Sequence, residues 1–109
     1  MRPPAFLVAF AAAVLAGACG AGARETGLPP VAGAERGRQV VAQNGCLACH
    51  RIGGTGNAGP GPQLDEVGQR LPASAIRRLL VNPTPPMPSY RELPPDDLAA
   101  LTRYLAGLR

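Results

Sequence analysis

The sequence predicts a small all-α domain of three main helices joined by irregular loops, and three observations carry that expectation. Three stretches place apolar residues at helical spacing, none alternates as a half-buried strand does, and a glycine-rich run separates the first helix from the second. The first helix is expected over Glu35 to Asn44, with Val40 and Val41 on one side. Gly37 lies a turn earlier, where a glycine inside a helix usually marks the close approach of another backbone. The second helix is expected over Ala73 to Val81, with Ile76, Leu79 and Leu80 at helical spacing and a stop at Asn82-Pro83. The last begins near Pro95. Asp96 and Asp97 sit in its first turn and Arg109 at its far end, each charge suited to the helix dipole, and Leu98, Leu101, Leu105 and Leu108 form its apolar stripe.

Between the first two helices runs Gly53-Gly54-Thr55-Gly56-Asn57-Ala58-Gly59-Pro60-Gly61-Pro62, too long and structureless for an ordinary connection. A loop of this kind makes sense when it wraps something that is not protein. The composition points the same way. Apolar residues make up 46% of the 109 residues but aromatics only 4%, and both Phe6 and Phe10 precede the domain, so the core lacks large side chains. Chains this short usually need a disulfide, metal or cofactor to complete their stability.

Residues 1–23 read as an export signal or membrane anchor. Arg2 is followed by an apolar run from Ala5 to Ala18, then by the small-residue triplets Ala16-Gly17-Ala18 and Ala21-Gly22-Ala23. Cys19 stands where a lipoprotein signal puts its modified cysteine, although Ala16 takes the place normally held by Leu. Residues 24–33 read as a Gly/Pro-rich linker and 34–109 as the folded domain. Export would put the domain in the periplasm or on the outer face of the cytoplasmic membrane, with membrane association through the N-terminus. All 11 basic side chains are Arg, and the formal charge of +4 favours acidic partners. The Arg residues are scattered, without the clustered basic face or interleaved aromatics of a nucleic-acid binder, so no nucleic-acid partner is expected.

Within the domain stands Cys46-Leu47-Ala48-Cys49-His50. Residues three apart on a helical turn share a face, so two thiols can reach the two vinyl groups of one porphyrin while the next imidazole addresses the iron. This is the pattern of covalent haem c attachment. A structural zinc wants four ligands, and with Cys19 in the leader and no second His, one mature chain cannot assemble a closed Cys/His site. A redox-active disulfide of the thioredoxin kind should open a helix after a buried strand, whereas the segment before this motif is helical.

A six-coordinate iron needs a second axial ligand. The chain has one His and no Lys, Met1 belongs to the leader, and Met87 is left as the strong candidate. It lies in Pro85-Pro86-Met87-Pro88, where prolines stiffen the backbone on both sides. Thioether ligation raises the reduction potential relative to imidazole. With both axial positions filled there is no open site for dioxygen or peroxide, so an electron carrier is expected rather than an enzyme.

Over about residues 34 to 108 the sequence resembles the small single-haem class I c-type cytochromes. The motifs come in order: Gly37 and Tyr104 at the positions where that family's first and last helices cross, Cys46 to His50, Gly61-Pro62-Gln63-Leu64, and Met87-Pro88. The resemblance implies that helices and loops surround one covalently bound haem. It also implies that Pro62 offers its carbonyl to the Nδ1 proton of His50. The chain departs from the family in having no Lys and no Trp, so docking must use Arg and a common propionate partner is missing. Arg70 and Tyr90 are the candidate substitutes.

The resulting expectation is a one-electron shuttle between a redox-protein donor and acceptor with acidic docking surfaces. Two alternatives stand beside it: a haem subunit held in a larger oxidoreductase or terminal oxidase, and a haem sensor in which a small molecule displaces Met87.

Overall fold

A computed structural model describes residues 27–109. The leader, Cys19 and the start of the linker lie outside the described residues. The elements run α1 (Glu35–Gln43), a 3₁₀ turn (Cys46–Ala48), β1 (Arg51–Ile52), β2 (Thr55–Gly56), α2 (Val67–Arg70), α3 (Ala73–Val81) and α4 (Pro95–Ala106). Among the described residues four helices therefore stand where three were expected. The addition, α2, is a single turn with Val67 buried, and the Gly68 N–H donates to the Leu108 carbonyl at 2.8 Å. Among the described residues, strand is limited to a two-stranded antiparallel hairpin that pairs Arg51 with Gly56 and Ile52 with Thr55.

The helices form where local chemistry favours them. α4 opens with Pro95 in its first turn, where the missing N–H costs nothing, followed by Asp96 and Asp97 at the positive end of the dipole. It stops at Gly107, whose N–H donates to the carbonyls of Arg103 and Tyr104, each at 3.1 Å. α3 ends at Asn82, whose N–H caps the Arg78 carbonyl at 2.7 Å, and Pro83 prevents continuation.

α1 crosses α4, and this is the most extensive helix contact of the domain. At the crossing a Cβ on Gly37 would collide with the Ala100 carbonyl and the Tyr104 Cβ, so only glycine lets the two helices meet. Val40, Val41, Ile52, Leu101 and Tyr104 are fully buried around it. Each such side chain contributes roughly 1.5–3 kcal/mol of transfer free energy. Arg36 of α1 grips the Asp97 carboxylate of α4 with two parallel bonds of 3.0 Å. The pair is half exposed, so its net contribution is only ~0.2–1 kcal/mol.

Packing also begins earlier than residue 34. Leu28, in the stretch read as linker, is 3% exposed and belongs to the core, and Val31 packs against it. The Tyr104 hydroxyl donates to the Pro29 carbonyl at 2.7 Å, and Arg38 reaches the Leu28 carbonyl at 3.4 Å. A lone Leu among Gly and Pro shows no periodicity, which is why composition alone reads this strap as unstructured.

Burial pushes the Tyr104 phenol up to about 12 from the ordinary 10.0, with nearby Arg38 pulling the other way. The fold thus favours the neutral phenol. Its contribution is fully present below about pH 10 and is lost as the pH rises through about 12. The thermal midpoint should fall across that window, and the fall should be shallower in Tyr104→Phe. Equal slopes in the two proteins would remove Tyr104 as the cause.

Candidate haem site

The site is built outward from Gly45. Its left-handed backbone (φ 74°) ends the run from α1 and starts the 3₁₀ turn, a conformation glycine adopts without strain. Within the turn Ala48 N–H donates to Gly45 O at 3.1 Å, Cys49 N–H to Cys46 O at 3.3 Å and His50 N–H to Cys46 O at 2.9 Å. This winding brings Cys46, Cys49 and His50 together in one compact segment. Both cysteines are half-buried and free of disulfide.

His50 is buried, and its Nδ1 lies 2.7 Å from the Pro62 carbonyl oxygen. A carbonyl only accepts, so Nδ1 carries the proton and donates it, which leaves the lone pair on Nε2 for a metal. The glycine-rich loop is strapped over this segment. Gly61 N–H donates to Cys49 O at 2.8 Å, Asn57 N–H to Leu47 O at 3.0 Å, and the Asn57 amide to Ala48 O at 2.8 Å. A Cβ on Gly61 would collide with the His50 ring, so glycine is what allows the loop to pack on the imidazole. The expected Pro62 contact is therefore present, and Asn57 is an additional strap. Nothing in an Asn among glycines distinguishes such a strap from an ordinary turn former.

Met87 is half-buried against the edge of the core, with its N–H donating to Thr84 O at 3.2 Å. Tyr90 does not stand apart from the attachment segment. Its hydroxyl donates to the Asn44 carbonyl at 2.9 Å and lies against the Cys46 sulfur. Burial, and after it the neighbouring Cys46, pushes that phenol up to about 12. Arg70 is exposed, and its guanidinium donates to the Gln63 carbonyl at 2.8 Å, beside Pro62. Both residues offered as propionate partners thus spend a donor on backbone carbonyls. Leu79, expected on the apolar face of α3, is 45% exposed.

The donor set fits a haem better than the competing uses of the motif. Among the described residues no three His, Cys, Asp or Glu side chains gather as a metal site. Burial pushes the Cys46 thiol up from its ordinary value, with the Tyr90 hydroxyl pulling the other way. One oriented imidazole, a thioether in the same domain and two thiols on a single turn are what an attached porphyrin requires.

Comparison with known proteins shows the family. Residues 32–105 match the family model described as cytochrome c oxidase, cbb3-type, subunit III. The chain belongs to the c-type cytochromes. A cytochrome c-553-like protein of Synechocystis is 40% identical to this cytochrome over 76 residues, covering 69% of each chain. Cytochrome c oxidase subunit 2 of Alkalihalophilus pseudofirmus is 32% identical over 89 residues, which cover 70% of this chain but 26% of that one. The cytochrome thus spans about a quarter of the length of one relative and about two thirds of the other. A cytochrome c domain implies haem c and haem-based electron transfer, and the c-553 relationship marks an electron carrier rather than a catalyst.

Proposed function

We propose that this cytochrome carries one haem, joined covalently through Cys46 and Cys49, with the iron held between His50 and Met87, and passes single electrons between redox proteins outside the cytoplasm. When bound, that group supplies a one-electron couple. The observation that carries the reading is the His50 Nδ1 contact with Pro62 O at 2.7 Å, set within a turn that also bears both thiols. That bond orients the imidazole so that Nε2 can face the iron, and the lack of a side chain at Gly61 leaves room for the ring. Met87, between Pro86 and Pro88, supplies the soft ligand on a stiffened segment. Export follows from the leader, and membrane attachment would run through the same N-terminal stretch.

Docking would use Arg. Arg77, Arg78 and Arg103 are exposed, and the two ion pairs among the described residues involve Arg36 and Arg38 instead. These free guanidinium groups suit partners with acidic surfaces, bound weakly and steered by charge. The similarity to an oxidase subunit 2 favours a second reading, in which the domain serves as the electron-entry subunit of a larger oxidase. Copurification with oxidase polypeptides would select it over the free shuttle.

The test is the intact mass and reduced-minus-oxidised spectrum of protein matured in an exporting host. The expected result is a mass raised by one haem and a low-spin spectrum. Colourless protein, or the mass of the bare polypeptide, would end the proposal.

A further inference from the structure

Tyr90 bonds in a way that electron transfer alone does not explain. It lies three residues beyond Met87, on the segment that returns to the core. The base of that segment is tied to the end of α3: Tyr90 N–H donates to Leu80 O at 2.8 Å, Ser89 Oγ to Val81 O at 2.6 Å, and Arg91 Nη2 to the Asn82 side-chain oxygen at 2.9 Å. All three bonds lead back to the same helix terminus. The bond from the Tyr90 hydroxyl to Asn44 O goes elsewhere, crossing 46 residues to the position before Gly45, where the attachment turn begins. Asn44 is itself fixed, because its side-chain amide donates to Val40 O at 2.8 Å. Together with the contact of the same hydroxyl with the Cys46 sulfur, this bond joins the Met87 segment to the side of the domain bearing Cys46, Cys49 and His50.

We propose that Tyr90 is a positioning residue for Met87: the phenol closes the methionine segment onto the attachment turn and so sets how often the thioether leaves the iron. The proposal rests on the His50/Met87 reading. Without the hydroxyl, the segment hangs from α3 alone and its opened state gains population. The loss of one neutral hydrogen bond corresponds to about a fivefold change in such an equilibrium.

The experiment compares three haem-loaded full-length variants with the wild type: Tyr90→Phe, Tyr104→Phe and Met87→Ala. Tyr104→Phe removes another tyrosine hydroxyl bond, to Pro29 O, away from the methionine segment. The readouts are the rate of carbon monoxide binding to the reduced protein, the sulfur-to-iron charge-transfer band of the oxidised protein, and thermal stability. Tyr90→Phe should bind carbon monoxide about fivefold faster and lose charge-transfer intensity at a lower temperature. Tyr104→Phe should lower stability without moving either haem readout. A Tyr90→Phe protein matching the wild type in rate and band, or one no different from Tyr104→Phe, overturns the clasp. So does an altered pH dependence of the potential with an unchanged binding rate, which would assign the phenol to a propionate. If the wild type itself lacks the band, or Met87→Ala leaves it in place, the ligation reading has failed and the clasp fails with it.

Discussion

Replacing Met87 by alanine is expected to abolish the sulfur-to-iron charge-transfer band, lower the reduction potential and open the iron to carbon monoxide. Axial ligands command a span of ~0.8 V across haem proteins, and loss of the thioether should cost on the order of 100 mV of that span. The expectation is strong because the chain has so few substitutes. It contains one His, already oriented by Pro62, and no Lys, so no other strong-field side chain can move in from the described residues. Water or nothing takes the place. The side chain is half-buried at the margin of the core, so truncation to alanine should leave the helices standing and the change should be confined to the iron. Redox titration and the oxidised spectrum decide the matter, and a variant retaining the wild-type band would exclude Met87 as the ligand.

Replacing both Cys46 and Cys49 by alanine should have the larger effect on the fold. The protein is expected to show the mass of the bare polypeptide and no cooperative thermal transition. Among the described residues the buried apolar set consists mainly of Leu, Val and Ile, with Tyr104 as its one aromatic. Domains below ~70–80 residues rarely draw more than ~3–5 kcal/mol from such a core alone. The covalent links convert binding of the porphyrin into an intramolecular event, so the apolar contact it supplies is retained at any dilution. Removing one cysteine leaves one link, so a single variant should keep its colour at reduced yield. A double variant that melts cooperatively at the wild-type temperature would show that the polypeptide folds without its cofactor.

Elements with strong periodicity or unambiguous stop signals were legible in the chain. The Ala73–Val81 helix matches its expectation to the residue because Pro72 and Asn82-Pro83 bracket it. α1 ends one residue early, and α4 ends at Ala106 because Gly107 lets the backbone carbonyls be capped there. α2 was not legible, since one helical turn is too short to display a period. The hairpin had a signal, two glycines at positive φ between short pairs, but strands of two residues carry no alternation to read. At the candidate site, the roles proposed for Cys46, Cys49, His50 and Met87 rest on residue types too scarce to allow many arrangements. Asn44, Asn57 and the hydroxyl of Tyr90 act through backbone carbonyls, and a carbonyl has no residue identity, so no spacing rule announces such partners.

The strap at Leu28 and Pro29 also has a mechanical consequence. It is clamped by Tyr104 of α4 and Arg38 of α1, whereas the methionine segment is suspended from α3 and from Asn44. Load entering through this strap is therefore shared between the crossed helix pair and the hairpin, because Gly27 and Pro29 also lie against Thr55 and Gly53. Among the described residues the methionine segment shares none of these bonds, so a pull on the strap reaches α1, α4 and the hairpin before it reaches Met87.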